Sequence, residues 1–225
     1  MLVKSSKISV ITLLFSIIIT TPSHAWLIYH KPEFRGKIID AETKEPIEGA
    51  VVVAIYSKKS IGIAESYSVT INMREALTDK NGEFYIPSYT TIIQPLSWET
   101  LVTFIIFKPG YGSFKPAYGS FPEYQKTPSG LRPMDEETFF SKGIGTEGEL
   151  ELWVAKDKEE NGLDFKKFKV TFGVVELPKL KTKEERLRAI PGISGDPSYS
   201  TPEKLPLFYK SINEEYKRFG LQEVR

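Results

Sequence analysis

Thr78-Asp79-Lys80-Asn81-Gly82-Glu83-Phe84-Tyr85-Ile86 is the stretch on which the fold assignment turns. Asn81-Gly82 tolerates the positive φ of a tight turn, and Phe84 and Ile86 alternate with polar or amphipathic neighbours as a half-buried strand requires, so the segment predicts a hairpin turn feeding a strand. Upstream, Tyr67, Val69, Ile71 and Met73 alternate with Ser68, Thr70, Asn72 and Arg74, which predicts a strand with the first set on one face and the second on the wet face. Ala50 to Tyr56 is a further apolar run. Before it, Phe34, Gly36 and Ile38 alternate with Arg35, Lys37 and Ile39, and the chain turns through Ala41 to Pro46.

Downstream, Leu101 to Phe107 is apolar on both faces apart from Thr103, the pattern of a central strand covered on both sides. Leu150, Leu152 and Val154 alternate with acids and Trp153, and Phe168, Val170, Phe172 and Val174 close the β region. The expectation is a mainly β protein, a seven-stranded antiparallel β-sandwich spanning residues 26–178 and interrupted by a loop insertion at about 112–147. A helical turn is expected within that insertion at Asp135 to Phe140.

Beyond Pro178 the periodicity becomes helical. Thr182 and Glu185 have the spacing of a capping box, opening a short helix through Arg188 that Pro191 and Gly192 stop. Leu205, Phe208, Ile212, Tyr216 and Phe219 form one apolar stripe, with Thr201 a candidate N-cap, Pro202 near the first turn and Gly220 beyond the end; Pro206 marks a later start for the regular part. Residues 179–225 are therefore expected to be a helical extension packed on the sandwich's own sheet.

Composition narrows the chemistry. The 225 residues include no Cys and only two histidines, His24 and His30, which removes thiol chemistry, structural zinc and any site needing several imidazoles. Thirty Lys and Arg against 29 Asp and Glu give a formal charge of +1, so no basic excess points to nucleic acid. Lys4 and Lys7, the apolar run Ile8 to Ile19, and Ser23 and Ala25 at the −3 and −1 positions predict a secretory signal at residues 1–25, cleaved after Ala25. The run is short of the roughly 20 residues that span a bilayer. The expected product is periplasmic or secreted, without a permanent membrane anchor.

Phe34 to Asp40, Thr43, Pro46-Ile47, Gly49-Ala50 and Val52, followed by Thr78-Asp79, Asn81-Gly82, Phe84 and Ile86-Pro87, resemble the carboxypeptidase regulatory-like family, and Pro109-Gly110-Tyr111 fits that family's habit of ending a later strand in Gly-Tyr. The resemblance implies a transthyretin-like fold and an accessory, non-catalytic role in binding, spacing or stabilising. It covers Phe34 to Tyr111 well and the insertion and helical tail hardly at all. Enzymes of the same fold class that hydrolyse hydroxyisourate use histidines and a C-terminal motif, whereas this chain ends Gln222-Glu223-Val224-Arg225; the intradiol dioxygenases need two Tyr and two His for iron. No cofactor or metal is expected.

Candidate sites each compete with a structural role. Tyr111-Gly112-Ser113-Phe114 recurs as Tyr118-Gly119-Ser120-Phe121, and with Trp98 and Tyr124 these rings would make a platform for sugar or peptide, or else fold back over the Leu101 to Phe107 strand. Asp79, Asn81 and Glu83 lack the remaining acids of a calcium loop. Glu136-Glu137 and Glu159-Glu160 read as solvated faces, and His30 as a flexible surface residue behind the cleavage site. The leading expectation is an exported, non-catalytic module acting in protein binding or envelope assembly. A carbohydrate- or peptide-binding module using Trp98, Tyr111, Tyr118 and Tyr124 is the alternative, and a hydrolase built on carboxylates alone the third. Expected partners are an envelope protein or an extracellular glycan or peptide, and no nucleic acid.

Overall fold

A computed structural model of the chain describes residues 27–61, 66–114, 126–127, 130–131, 136–155, 163–193 and 198–224. Thirteen strands and three helices among the described residues place the protein in the mainly β class. One sheet has β2 (Phe34–Asp40) at its centre, between β5 (Glu83–Ile86) and β13 (Val174–Leu177). In the other, the long β3 (Val51–Ile61) pairs along one edge with β4 (Ser66–Leu77) and along the other with β8 (Thr103–Phe107) and, further on, β7 (Ser97–Glu99). The two sheets share a core in which Phe34 and Ile38 of β2, Phe84 and Ile86 of β5 and Val175 and Leu177 of β13 meet Val52, Ala54 and Tyr56 of β3 and Phe104 and Ile106 of β8. Complete burial of such side chains contributes about 1.5–3 kcal/mol each.

The Asn81-Gly82 turn is real, but its partners differ from a simple hairpin. β4 pairs with β3 while β5 pairs with β2, so the turn carries the chain from one sheet across to the other. Asp79 organises it: one carboxylate oxygen accepts the N–H groups of Asn81 (2.8 Å) and Glu83 (2.9 Å), which holds its carboxyl below the usual range. Gly82 has φ of +73° and its carbonyl accepts the Ile38 N–H at 2.8 Å; a Cβ there would lie 2.4 Å from the Ile38 oxygen.

Four further expectations are corrected by tertiary pairing. Ile71 and Met73 do not share a face: the β3/β4 register shifts at Tyr56/Ser57, leaving Ile71 as the extra residue of a bulge that packs toward the shared core, whereas Met73 lies in a second cluster on the outer side. The wet face assigned to Thr70 is likewise wrong, because that residue is buried. The sheets are not purely antiparallel, since β13 runs parallel to β2 after a turn at Gly173 (φ +70°). Finally, β11 (Glu147–Ala155) and β12 (Leu163–Thr171) form a two-stranded sheet of their own, and β1 (Leu27–Lys31) with β6 (Tyr89–Ile93) forms another. In the insertion, β9 (Lys126–Thr127) pairs with β10 (Gly130–Leu131), and α1 (Glu136–Ser141) sets Phe139 and Phe140 into the shared core.

The second cluster forms where β3, β4 and β8 turn apolar residues outward. Val51, Val53, Ile55, Met73, Ile105 and Phe107 lie beneath Leu205, Phe208 and Ile212 at the C-terminal helix α3 (Pro206–Arg218), so β8 is covered on both faces. α2 (Lys183–Ala189) opens with the Thr182/Glu185 capping box. Thr201 does not cap α3. Its N-cap is Leu205, with Pro206 in the first turn, and the carboxylate of Glu75 on β4 accepts the N–H groups of Leu207 and Phe208 at 2.9 Å each. Gly220 (φ +68°) ends the helix, with the Leu221 N–H bonded to the Tyr216 carbonyl and its own N–H to that of Lys217.

Candidate functional site

The aromatic residues singled out from sequence do not converge. Tyr111 follows β8, bridges to Lys179, packs against the shared core and brings its hydroxyl close to the Asp40 carboxylate. Burial and the Asp40 charge raise its pKa, while the N–H groups of Thr43 (3.0 Å) and Glu42 (2.8 Å) help hold Asp40 below the usual carboxylate range. Trp98 lies on β7 opposite Lys59, and Phe107 opposite Val51, so the Tyr111 end and the Trp98 end of β3 are separated by about eight residues, or roughly 26 Å of strand. Trp98 and Tyr111 therefore cannot share one platform. Tyr118 and Tyr124 lie outside the described residues, as do Glu159 and Glu160.

Trp98, 42% exposed, has apolar company instead. On the β1/β6 ribbon Ile28 and Ile92 are cross-strand partners, 67% and 61% exposed. Ile61, at the end of β3, is exposed and donates its N–H to the carbonyl of Leu96, itself 72% exposed and held at φ +61°, a left-handed conformation costly for a branched side chain. β1 is tied to β7 by the His30 N–H, which donates to Glu99 Oε1 at 3.2 Å. α3 covers the outer face of β3 at Val51, Val53 and Ile55 but leaves Lys59 and Ile61 open. Exposed apolar side chains thus gather at this end of the molecule, Ile28 and Ile92 on the β1/β6 ribbon and Ile61, Leu96 and Trp98 about the β3/β7 pair, and exposed apolar surface of this kind marks interaction sites. His30 is no loose residue: it is exposed on β1, and its Nδ1 lies 2.7 Å from Thr90 Oγ1.

The inner side of the same strands is polar and closed. Lys31, next after His30, is only 4% exposed. Its Nζ lies 2.9 Å from Glu137 Oε2 and 3.3 Å from Oε1, and 3.2 Å from Glu99 Oε2, with the Tyr29 ring centroid 5.3 Å away. Glu137 Oε2 also accepts the Val102 N–H (3.2 Å), and Glu136 is buried and accepts the Phe104 N–H (2.6 Å). The adjacent acids at 136 and 137 are therefore no solvated face but the means by which α1 is fastened to β1 and β8. Beside them, the Tyr89 ring lies between those of Tyr29 and Tyr56, with centroids 6.0 and 4.9 Å away and the planes inclined at 63° and 57°, and Arg74 lies over Tyr89. The Tyr29 and Tyr56 hydroxyls are buried without hydrogen-bond partners; burial pushes the Tyr56 phenol up to about 12 and that of Tyr29 further, so both stay protonated.

Sequence reasoning missed Lys31 and Glu99 altogether. A lysine one position from a histidine in a short segment gives no periodic signal, and only the approach of β7 and α1 makes its burial tolerable. Among the described residues no group of three or more His, Cys, Asp or Glu is arranged to hold a metal ion, and no helix is long and apolar enough to cross a membrane. Comparison with protein-family models, with curated proteins and with solved structures finds no match for this chain.

Proposed function

We propose that the protein is an exported, non-catalytic module of the carboxypeptidase regulatory-like type that acts in protein binding or envelope assembly through the outer surface around Ile28, Ile92, Leu96 and Trp98. The observation that carries this reading is the set of exposed apolar side chains at this end of the molecule, Ile28 and Ile92 on the β1/β6 ribbon and Ile61, Leu96 and Trp98 about the β3/β7 pair, beside a Lys31 pinned by Glu99 and Glu137. Seven strands in two facing sheets, β2, β5 and β13 against β3, β4, β7 and β8, support a transthyretin-like sandwich as the scaffold, with one parallel pair. Export rests on the basic, apolar and small-residue order of residues 1–25, giving a periplasmic or secreted product. Photo-crosslinking from position 92 or 98 in intact cells tests the reading. It predicts a discrete protein adduct that Ile28→Ser/Ile92→Ser abolishes while the thermal midpoint holds; no adduct from either position, or one indifferent to the double substitution, overturns it.

The second reading, capture of a glycan or peptide, is favoured by the accessible Trp98 ring. It loses Tyr111, which is committed to Asp40 and the core. Titration with oligosaccharides or peptides that shifts tryptophan fluorescence, and does so no longer in Trp98→Ala, would select it.

A further inference from the structure

The Lys31 cluster holds more than an ion pair requires. One buried ammonium faces two carboxylates, and it sits across the Glu137 carboxyl group rather than at one corner of it, within 3.3 Å of both oxygens. Those distances place Glu137 Cδ about 3–3.5 Å from Nζ, the separation of a near-attack arrangement. Glu99 Oε2, 3.2 Å from the same nitrogen, is positioned to take its proton, and the Val102 N–H that donates to Glu137 Oε2 is positioned to stabilise negative charge developing on that oxygen. The partners are held by independent anchors: Glu99 by the His30 N–H, and α1 by Phe139, Phe140 and the Glu136 bond to Phe104.

We propose that Lys31 and Glu137 are the site of an intramolecular amide, formed by the folded protein on itself. Lys31 enters as ammonium and Glu137 as carboxylate. Glu99 accepts a proton from the ammonium and delivers it to a Glu137 oxygen; the freed nitrogen lone pair forms the Nζ–Cδ bond. A second proton then leaves nitrogen by the same route to that oxygen, the Cδ–O bond breaks with its electron pair, and water departs. Nothing is oxidised or reduced, no co-reactant is consumed, and Glu99 ends as the carboxylate it began. The bond joins residues 106 positions apart, fastening β1 to the inserted helix. In a chain without a single Cys, this is a covalent staple that needs neither thiol nor oxidant.

The test is the mass of the intact folded protein, produced with its own N-terminal segment and compared with Lys31→Arg processed identically. Arginine keeps the charge, but its guanidinium is not a nucleophile at neutral pH. The wild type is expected to be lighter than its processed sequence by one water, and a tryptic digest should contain one branched fragment joining the Lys31 and Glu137 peptides. Lys31→Arg should show the full mass, and Glu99→Gln should accumulate the branched fragment at least tenfold more slowly. Wild type at full mass after prolonged incubation in the folded state, or a bridge mapped to another pair, overturns the proposal. That measurement needs no variant to fold, and its failure leaves the binding surface around Trp98 untouched.

Discussion

Arg186→Met should destabilise the protein through a single orphaned charge. In the native structure Glu215 of α3 is 1% exposed, and Arg186 of α2 meets it with two parallel bonds of 2.6 Å from Nε and NH2, while the guanidinium lies over the Phe219 ring at 5.3 Å. Methionine preserves most of the apolar stem but leaves the Glu215 carboxylate with no counter-ion in a site from which water is excluded. Removing one partner of such a pair costs about 3–5 kcal/mol, equivalent in a chain of this size to a fall of roughly 6–20 °C in Tm. Arg186→Met/Glu215→Met removes both charges and should recover most of that loss, because the pair's attraction largely offsets its own desolvation. Urea unfolding of the wild type, both single variants and the double variant, treated as a double-mutant cycle, measures the coupling. A single-variant cost below about 1 kcal/mol, or a double variant as unstable as the sum of the singles, would refute the argument that burial of Glu215, rather than packing of Arg186, sets the penalty. The same pair ties α2 to α3, the helix that covers Val51, Val53 and Ile55 of β3.

Gly82→Ala should cost at least about 1–3 kcal/mol, since the new Cβ meets the Ile38 carbonyl at 2.4 Å and φ is +73°; Gly145→Ala, also at positive φ but with nothing near its Cβ site, should cost less by chemical denaturation. Glu75→Ala removes the acceptor for two N–H groups at the start of α3 and should lower stability by about 0.5–2 kcal/mol, with amide exchange accelerated first at Leu207 and Phe208. Asp40 and Asp79 have folded-state pKa values below the ordinary one, so the stability they contribute is complete above the unfolded carboxylate range and is lost as pH falls through the lowered folded values. The slope of stability against pH in that acidic window should therefore be shallower in Asp40→Asn/Asp79→Asn, while a slope unchanged from wild type would rule the two groups out as its source.

Local periodicity carried far in this chain wherever the answer depended on neighbours in sequence. Strands at 34–40 and from 51, the turn organised by Asp79, the doubly covered run before Pro109, the Thr182 capping box and the apolar stripe of α3 are all written in spacings of two, three or four residues. Pairing partners are not written that way. A strand's hydrogen bonds are satisfied by whichever edge the whole chain brings alongside, so β5 joined β2 instead of β4, β13 arrived parallel, and Ile71 became the extra residue in a bulge.

The same holds for the sites. Sequence alone placed Trp98 among aromatics that proximity in the chain suggested, yet Tyr111 is drawn to Asp40 at the opposite end of β3. Lysine and adjacent glutamates are by default surface residues, because an isolated charge loses several kilocalories on burial. Lys31, Glu136 and Glu137 escape that rule only because strands β1, β7 and β8 and helix α1, distant in sequence, deliver opposite charges and backbone N–H groups to one place. Composition and spacing determined which elements this protein makes; long-range convergence decided which of its polar groups face one another, since electrostatic compensation depends on distance in space and leaves no period in the chain.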